Sequence, residues 1–133
     1  MIIIDSDKQR IYGMDNADSE LFQQATEAEK QENHVASAMY TRKLIEKHPN
    51  CAIFRAFLAN SIWDMGNLEE AEKEFKIAIN LEQKNEKISE GYFHLLLELE
   101  RDDDAFDEMR RFLRAGGKFD RYQDILDNLN ERT

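Results

Sequence analysis

The chain is poor in the residues that break or staple a fold. One proline and five glycines in 133 residues leave few points where the backbone is forced out of a helix. A single cysteine, Cys51, excludes an internal disulfide and a CxxC-type metal cluster, and it fits a reducing compartment. No long apolar run exists. The N-terminal one is Ile2 to Ile4, followed at once by Asp5 and Asp7. That is short of a signal-peptide core and far short of the roughly 20 residues of a membrane span. No membrane partner is expected, and the cytoplasm is the expected location. Positive charge is also in deficit. Twenty-eight acidic residues against 18 Lys and Arg give a formal net charge of -10 at pH 7. Such a field repels nucleic acid, so none is expected as a partner. It favours a basic partner, or it serves only to keep the protein soluble.

What is present is charge in helical spacing. Charged residues make up 35% of the chain and apolar ones 41%, within a length that suits one compact domain. Residues 1–16 read as an N-terminal arm or short hairpin, with disorder as an alternative. From residue 17 onward the apolar period is that of helices. The first is expected over about 17–32, with Leu21, Phe22, Ala25 and Ala28 on one face. Asn33 caps a second, over about 34–48, carrying Val35, Ala38, Leu44 and Ile45 and stopped by Pro49. Asn50 is the expected cap of a third, over about 51–65, with Phe54, Leu58 and Ile62. After Gly66, Asn67 and Glu70 have capping-box spacing for a fourth, over about 68–82, which hides Ala71, Phe75, Ala78 and Ile79 and exposes Glu69, Glu70, Glu72, Lys73 and Glu74. A fifth, over about 86–100, is apolar on more than one face and is expected to be the most buried, or to meet a partner. Asp102, Asp103 and Asp104 suit the start of a sixth, over about 103–115, ended by Gly116-Gly117. A seventh, over about 119–130, carries Tyr122, Ile125, Leu126 and Leu129.

The helices repeat. Ser37, Ala71 and Ala105 recur at a spacing of about 34 residues, as do Thr41, Phe75 and Met109, then Leu44, Ala78 and Phe112. In the first helix of each pair Gln24, Leu58 and Tyr92 align, then Ala25, Ala59 and Phe93, then Ala28, Ile62 and Leu96. A small residue at 37, 71 and 105 lets paired helices approach closely, and larger neighbours fill the next turn. Each hairpin has an apolar face it cannot cover alone. On these residues the chain resembles the tetratricopeptide repeat (TPR) family, over about residues 18–118. The middle repeat fits best, through Leu58, Ala59, Ile62, Gly66, Ala71, Phe75 and Ala78. Arg55 replaces a large apolar residue of the motif, and Phe93 replaces a small one, so the third hairpin must be splayed or differently packed. The resemblance implies an all-α, superhelical stack of antiparallel hairpins over 17–133. Its repeats lie at about 18–50, 51–84 and 85–118, with a capping helix at about 119–130. An irregular antiparallel bundle is the alternative.

The resemblance also implies a concave groove lined by the first helix of each pair, which binds a protein or peptide. The partner-binding residues it points to are Phe22, Phe57, Asn60, Trp63, Asp64, His94 and Glu98, with Thr26, Glu29, Ile53, Lys87 and Glu90 beside them. Asn60 matches a position where family members hold a ligand backbone. Glu90 and His94 replace the Lys and Asn of the clamp that grips a terminal carboxylate, so that mode is not expected. Aromatics mixed with acids suit apolar anchors and Lys or Arg, although plain packing explains the aromatics equally well. The expected function is therefore a protein-interaction module acting as adaptor, small chaperone or regulator. Self-association through the fifth helix is the alternative, and enzyme activity comes last. No catalytic residue, metal site or cofactor is expected. The chain has no Gly-rich phosphate loop, and its adjacent acids do not face each other across a pocket. Cys51, near a helix start where a thiol pKa can fall, is read as filler. His34 and His48 are read as unremarkable helix-end residues. A basic cluster of Arg110, Arg111, Arg114, Lys118 and Arg121 is read chiefly as neutralising nearby acids.

Overall fold

The computed structural model of the chain describes residues 3–5, 10–12 and 14–131. Strands β1 (Ile3–Asp5) and β2 (Arg10–Tyr12) pair antiparallel, with Ile3 opposite Tyr12. The rest of 1–13 lies outside the described residues. Seven helices follow: α1 (Asn16–Lys30), α2 (His34–Lys47), α3 (Ala52–Asp64), α4 (Leu68–Leu81), α5 (Glu86–Glu98), α6 (Asp102–Arg114) and α7 (Arg121–Glu131). α1 packs on α2, α3 on α4 and α5 on α6. α2 meets α3 and α4 meets α5, which joins the hairpins into a short superhelical stack, and α7 closes onto α5.

The turn inside each hairpin repeats as the helices do. Glu32, Gly66 and Glu100 each hold a positive φ, of 59°, 88° and 59°. One residue later Asn33, Asn67 and Arg101 donate their backbone N–H to the carbonyls of Ala28, Ile62 and Leu96, at 2.8, 3.2 and 2.9 Å. These are Schellman closures, which satisfy carbonyls orphaned at the helix end. Their acceptors are one of the aligned triplets of the sequence, so turn and packing share one register. Of these three positions only 66 carries a glycine, which takes the left-handed conformation without strain.

The triplets form the core. Ser37, Ala71, Ala105, Ala25, Ala59 and Phe93 are each 0% exposed. Phe93 sits at a close-approach position and is accommodated by packing: its ring lies 5.5 Å and edge-on from Phe106 of α6 and from Tyr122 of α7. At Gly91 a Cβ would meet the Phe75 ring at 3.0 Å, so the absent side chain lets α5 settle against α4. Gln24, in register with Leu58 and Tyr92, is exposed and lines an open polar cleft of about 550 Å³ between α1 and α2.

Several expectations need correction. Val35 is 70% exposed, because it lies two residues from Ser37, about 200° around the helix from the buried stripe. Asn50 caps nothing: Cys51 holds the N-cap position of α3, with no side-chain hydrogen bond. Asn67 does accept from the Glu70 backbone N–H at 3.3 Å, but Glu70 accepts from the Asn67 side-chain amide, so the reciprocal box is incomplete. A full box forms at α1 between Asp15 and Asp18. Glu72 is not exposed. It accepts from the Tyr92 hydroxyl at 2.6 Å and from Arg101 at 2.9 Å, which ties α4 to α5 and to the turn before α6. α3, with seven buried residues, outdoes α5, with six, because it has a hairpin on either side. The side chain of Leu129 lies outside the described residues. Among the described residues no helix is long and apolar enough to cross a membrane.

Candidate functional site

The inner faces of α1, α3 and α5 meet through side chains at three places. Near the start of α1 and α3, Phe22 stacks obliquely on Phe54 and Phe57, with ring centroids 5.6 and 5.7 Å apart. Phe54 is fully buried, while Phe22 and Phe57 are partly buried. Between α3 and α5, the indole N–H of Trp63 donates to the Glu98 carboxylate, and the ring meets Phe75 edge-on at 6.2 Å. The expected contact residues Trp63 and Glu98 thus brace each other. On α5, His94 Nε2 lies 3.5 Å from Glu90, whose other oxygen accepts from Arg121 of α7 at 2.9 Å. Asn60 is exposed, one turn before Asp64.

At the third place, at the end of α3, the expected groove residues Glu29 and Asp64 meet His34 and two serines that the sequence does not join to them. The α1 residue Glu29 places Oε1 2.8 Å from His34 Nδ1, at the first position of α2. Its Oε2 accepts from the Ser61 hydroxyl at 2.9 Å, and Ser61 lies 2.9 Å from the Ser37 hydroxyl. Asp64 Oδ2 lies 3.6 Å from the same His34 nitrogen. Both serines are 0% exposed. Burial pushes the Asp64 carboxyl above its ordinary range, and Glu29 beside it adds to the effect. Burial acts on Glu29 in the same direction. Hydrogen bonds to Asp64, Ser37, Ser61 and His34 overcome it, and the net effect holds Glu29 below its ordinary value. The pair shares its negative charge unequally. His34, not His94, is the histidine in the more constrained setting. The sequence placed Glu29 and Asp64 on the expected groove but gave no sign of His34 or Ser61 beside them, because the four residues belong to three helices whose ends converge only in the folded stack.

Two other features are less promising. Cys51 is buried, and burial pushes its thiol up, opposite to the lowering that a helix start can cause. The C-terminal cations are largely paired. Arg110 reaches Asp107 at 2.6 Å, and Arg111 reaches both oxygens of Glu108 at 2.7 Å.

No protein-family model matches the sequence, and no curated protein matches it significantly. Solved structures do. MamA (residues 41 to end) from Desulfovibrio magneticus RS-1 aligns over 74% of this chain at 11% identity and a TM-score of 0.69. The first TPR of Spaghetti (RPAP3), bound to the HSP90 peptide SRMEEVD, aligns over 73% of this chain and 79% of its own, at 15% identity and a TM-score of 0.67. The Arabidopsis OM64 TPR domain aligns over 73% and 80%, at 18% identity and 0.66. This chain spans 56% of that MamA chain and 51% of another, from AMB-1. The fold is TPR-like. At these identities the likeness concerns the fold alone.

Proposed function

We propose that the chain is a three-repeat protein-interaction module whose α1–α3–α5 face holds an extended segment of a protein partner, with apolar and cationic side chains, as an adaptor, small chaperone or regulator. The reading is supported by the contact of the partly buried Phe22 and Phe57, on α1 and α3, and by the exposed Asn60 and Asp64 that follow Phe57 on α3, with His94 and Glu98 on α5. Asn60 can donate to and accept from a ligand backbone. Asp64 stands beside Glu29, and Glu98 at Trp63, so acids line the path at two levels. Such a face favours Lys or Arg over the acidic tail carried by the peptide in the Spaghetti structure.

The self-association reading loses its motive, because the apolar residues of α5 are used within the chain. Ile88, Phe93, Leu95 and Leu96 are buried, and the exposed large apolar residues belong to other segments. The test is affinity capture from the source cell, repeated with synthetic segments of the captured protein. Asn60→Ala should weaken binding by about 1–3 kcal/mol with the fold intact. Moderate salt should weaken it further. Lys73→Ala, on the exposed side of α4, should leave it unchanged. Capture that ignores Asn60 and Asp64 and follows Arg110 and Arg114 would move the site to the C-terminal face.

A further inference from the structure

We infer that Glu29, His34 and Asp64 form a binding site for a divalent transition-metal ion of the zinc type. Three donor atoms, one imidazole nitrogen and two carboxylate oxygens, come from three helices and lie within 4.8 Å of one another. The 3.6 Å from His34 Nδ1 to Asp64 Oδ2 suits donors sharing an ion about 2.1 Å from each, while the 2.8 Å from His34 Nδ1 to Glu29 Oε1 is a direct hydrogen bond that an ion would replace by pushing the two atoms slightly apart. Mixed nitrogen and carboxylate donors select zinc and its neighbours over calcium or magnesium, which favour all-oxygen shells.

The surroundings resemble a prepared site more than a chance meeting of surface acids. Glu29 is aimed by the Ser61 hydroxyl, which is itself held by Ser37, and both serines are fully buried. Outer partners of this kind fix the orientation of a ligating carboxylate. The nitrogen beside Glu29 and Asp64 is that of the His34 imidazole, and no Lys or Arg nitrogen among the described residues lies within 4 Å of either carboxylate. A divalent cation would balance the two charges. The exposure is graded, with Glu29 and His34 side chains 24% exposed and Asp64 49%. An ion could therefore enter past Asp64 and keep an open coordination position toward solvent. Binding would also neutralise this part of the groove, which would then lose its preference for a cationic side chain.

The test is a titration of the untagged full chain with Zn²⁺ alone, in competition with a chromophoric chelator and by calorimetry. Saturable binding of one ion per chain is expected. Ser61→Ala, which removes only the outer hydroxyl, should weaken it about tenfold. His34→Ala should weaken it more, and Asp64→Asn by at least as much as Ser61→Ala. His94→Ala, which alters the two-donor pair with Glu90, should leave it unchanged. Circular dichroism checks each fold. If His34→Ala loses helix, the half-exposed Asp64→Asn carries the test. Absence of saturable binding, wild-type affinity in Asp64→Asn, or a loss that follows His94 would each overturn the assignment. Because this readout needs no protein partner, it stands or falls separately from the groove.

Discussion

Two buried polar networks join neighbouring elements of this stack, and they are finished differently. At the C-terminal end the carboxylate of Glu108, 6% exposed, accepts from both arms of the Arg111 guanidinium at 2.7 Å and from the Ser89 hydroxyl at 2.5 Å. Ser89 in turn lies 2.6 Å from the Tyr122 hydroxyl. The charges match, the donors are spent, and α5, α6 and α7 are locked together. At the other end Glu29 also meets a buried hydroxyl, but its remaining neighbours are a histidine and another carboxylate. That network is short of positive charge and opens to solvent at Asp64. A closed network of matched charges is what holding the stack requires. An open, unbalanced one contributes less to holding it and has capacity left for a ligand. The proposed binding role therefore belongs to the α1–α3 seam, and stability to the α5–α7 seam.

The comparison breaks most visibly at Arg111. Arg111→Met removes the guanidinium and leaves Glu108 buried without its partner. The expected cost is on the order of 3 kcal/mol, the low end for a broken buried pair, because Arg111 is itself 31% exposed. Urea melts followed by circular dichroism measure it. A loss below about 1 kcal/mol would mean that the closed network is not what secures α6 and α7.

A second closed carboxylate sharpens the rule through pH. Asp18 is 1% exposed. It reaches His48 Nε2 at 2.8 Å, pairs with Lys47, and accepts from the Asp15 backbone N–H at 3.3 Å. Burial works to raise its pKa. The hydrogen bonds of Lys47, His48 and the Asp15 N–H prevail, and it is held down to about 2 against an ordinary 3.8. A depressed carboxylate contributes stability above its unfolded value and loses it as pH falls through the folded one. Wild type should therefore lose stability between about pH 4 and 2. Asp18→Asn should be less stable at pH 7, by about 1–3 kcal/mol for a buried charged hydrogen bond, and flatter across that window. Equal acid slopes in the two proteins would show that Asp18 is not the clamp between α1 and α2.

The stacking positions and the polar networks differ in how legible they were. The stacking positions came from a spacing, and a spacing is a property of one strand of text. Ser37, Ala71 and Ala105 are buried where the 34-residue register put them. The polar seams are tertiary. Glu72 reads as one more acid on an acidic helix until Tyr92 and Arg101 are brought to it. Arg55, at an apolar position of the motif, finds Glu74 at 3.2 Å and the Pro49 carbonyl at 3.2 Å. His34 read as a helix-end residue because its neighbours in sequence say nothing of Asp64, 30 residues away. Among the residues expected in the groove, Phe22 and Phe57 share one contact, and Trp63 holds Glu98. Neither pairing follows from the repeat.

The smallest expected effect on stability is at Asp64, and it is the one that most directly separates the two seams. The folded chain raises the pKa of this carboxyl above its ordinary 3.8, chiefly by burial and then through Glu29, with Glu32 adding repulsion. Between the unfolded and folded values the folded state binds more protons than the unfolded one, so stability falls as pH rises across that window and is level above it. At pH 7 the ionised Asp64 is a slight liability to the fold. Asp64→Asn keeps the shape, removes the charge and can donate to Glu29. It should change stability at pH 7 by no more than about 0.5 kcal/mol, and in the favourable direction if in either. Wild type should lose ground to the variant as pH rises above about 4, a trend opposite to that of the Asp18 pair. The same substitution should weaken both Zn²⁺ and a cationic partner segment. Loss of stability comparable to that of Arg111→Met would make the α1–α3 seam a second structural lock and remove the contrast. An unharmed fold that has lost its ligand would place Asp64 on the functional side of it.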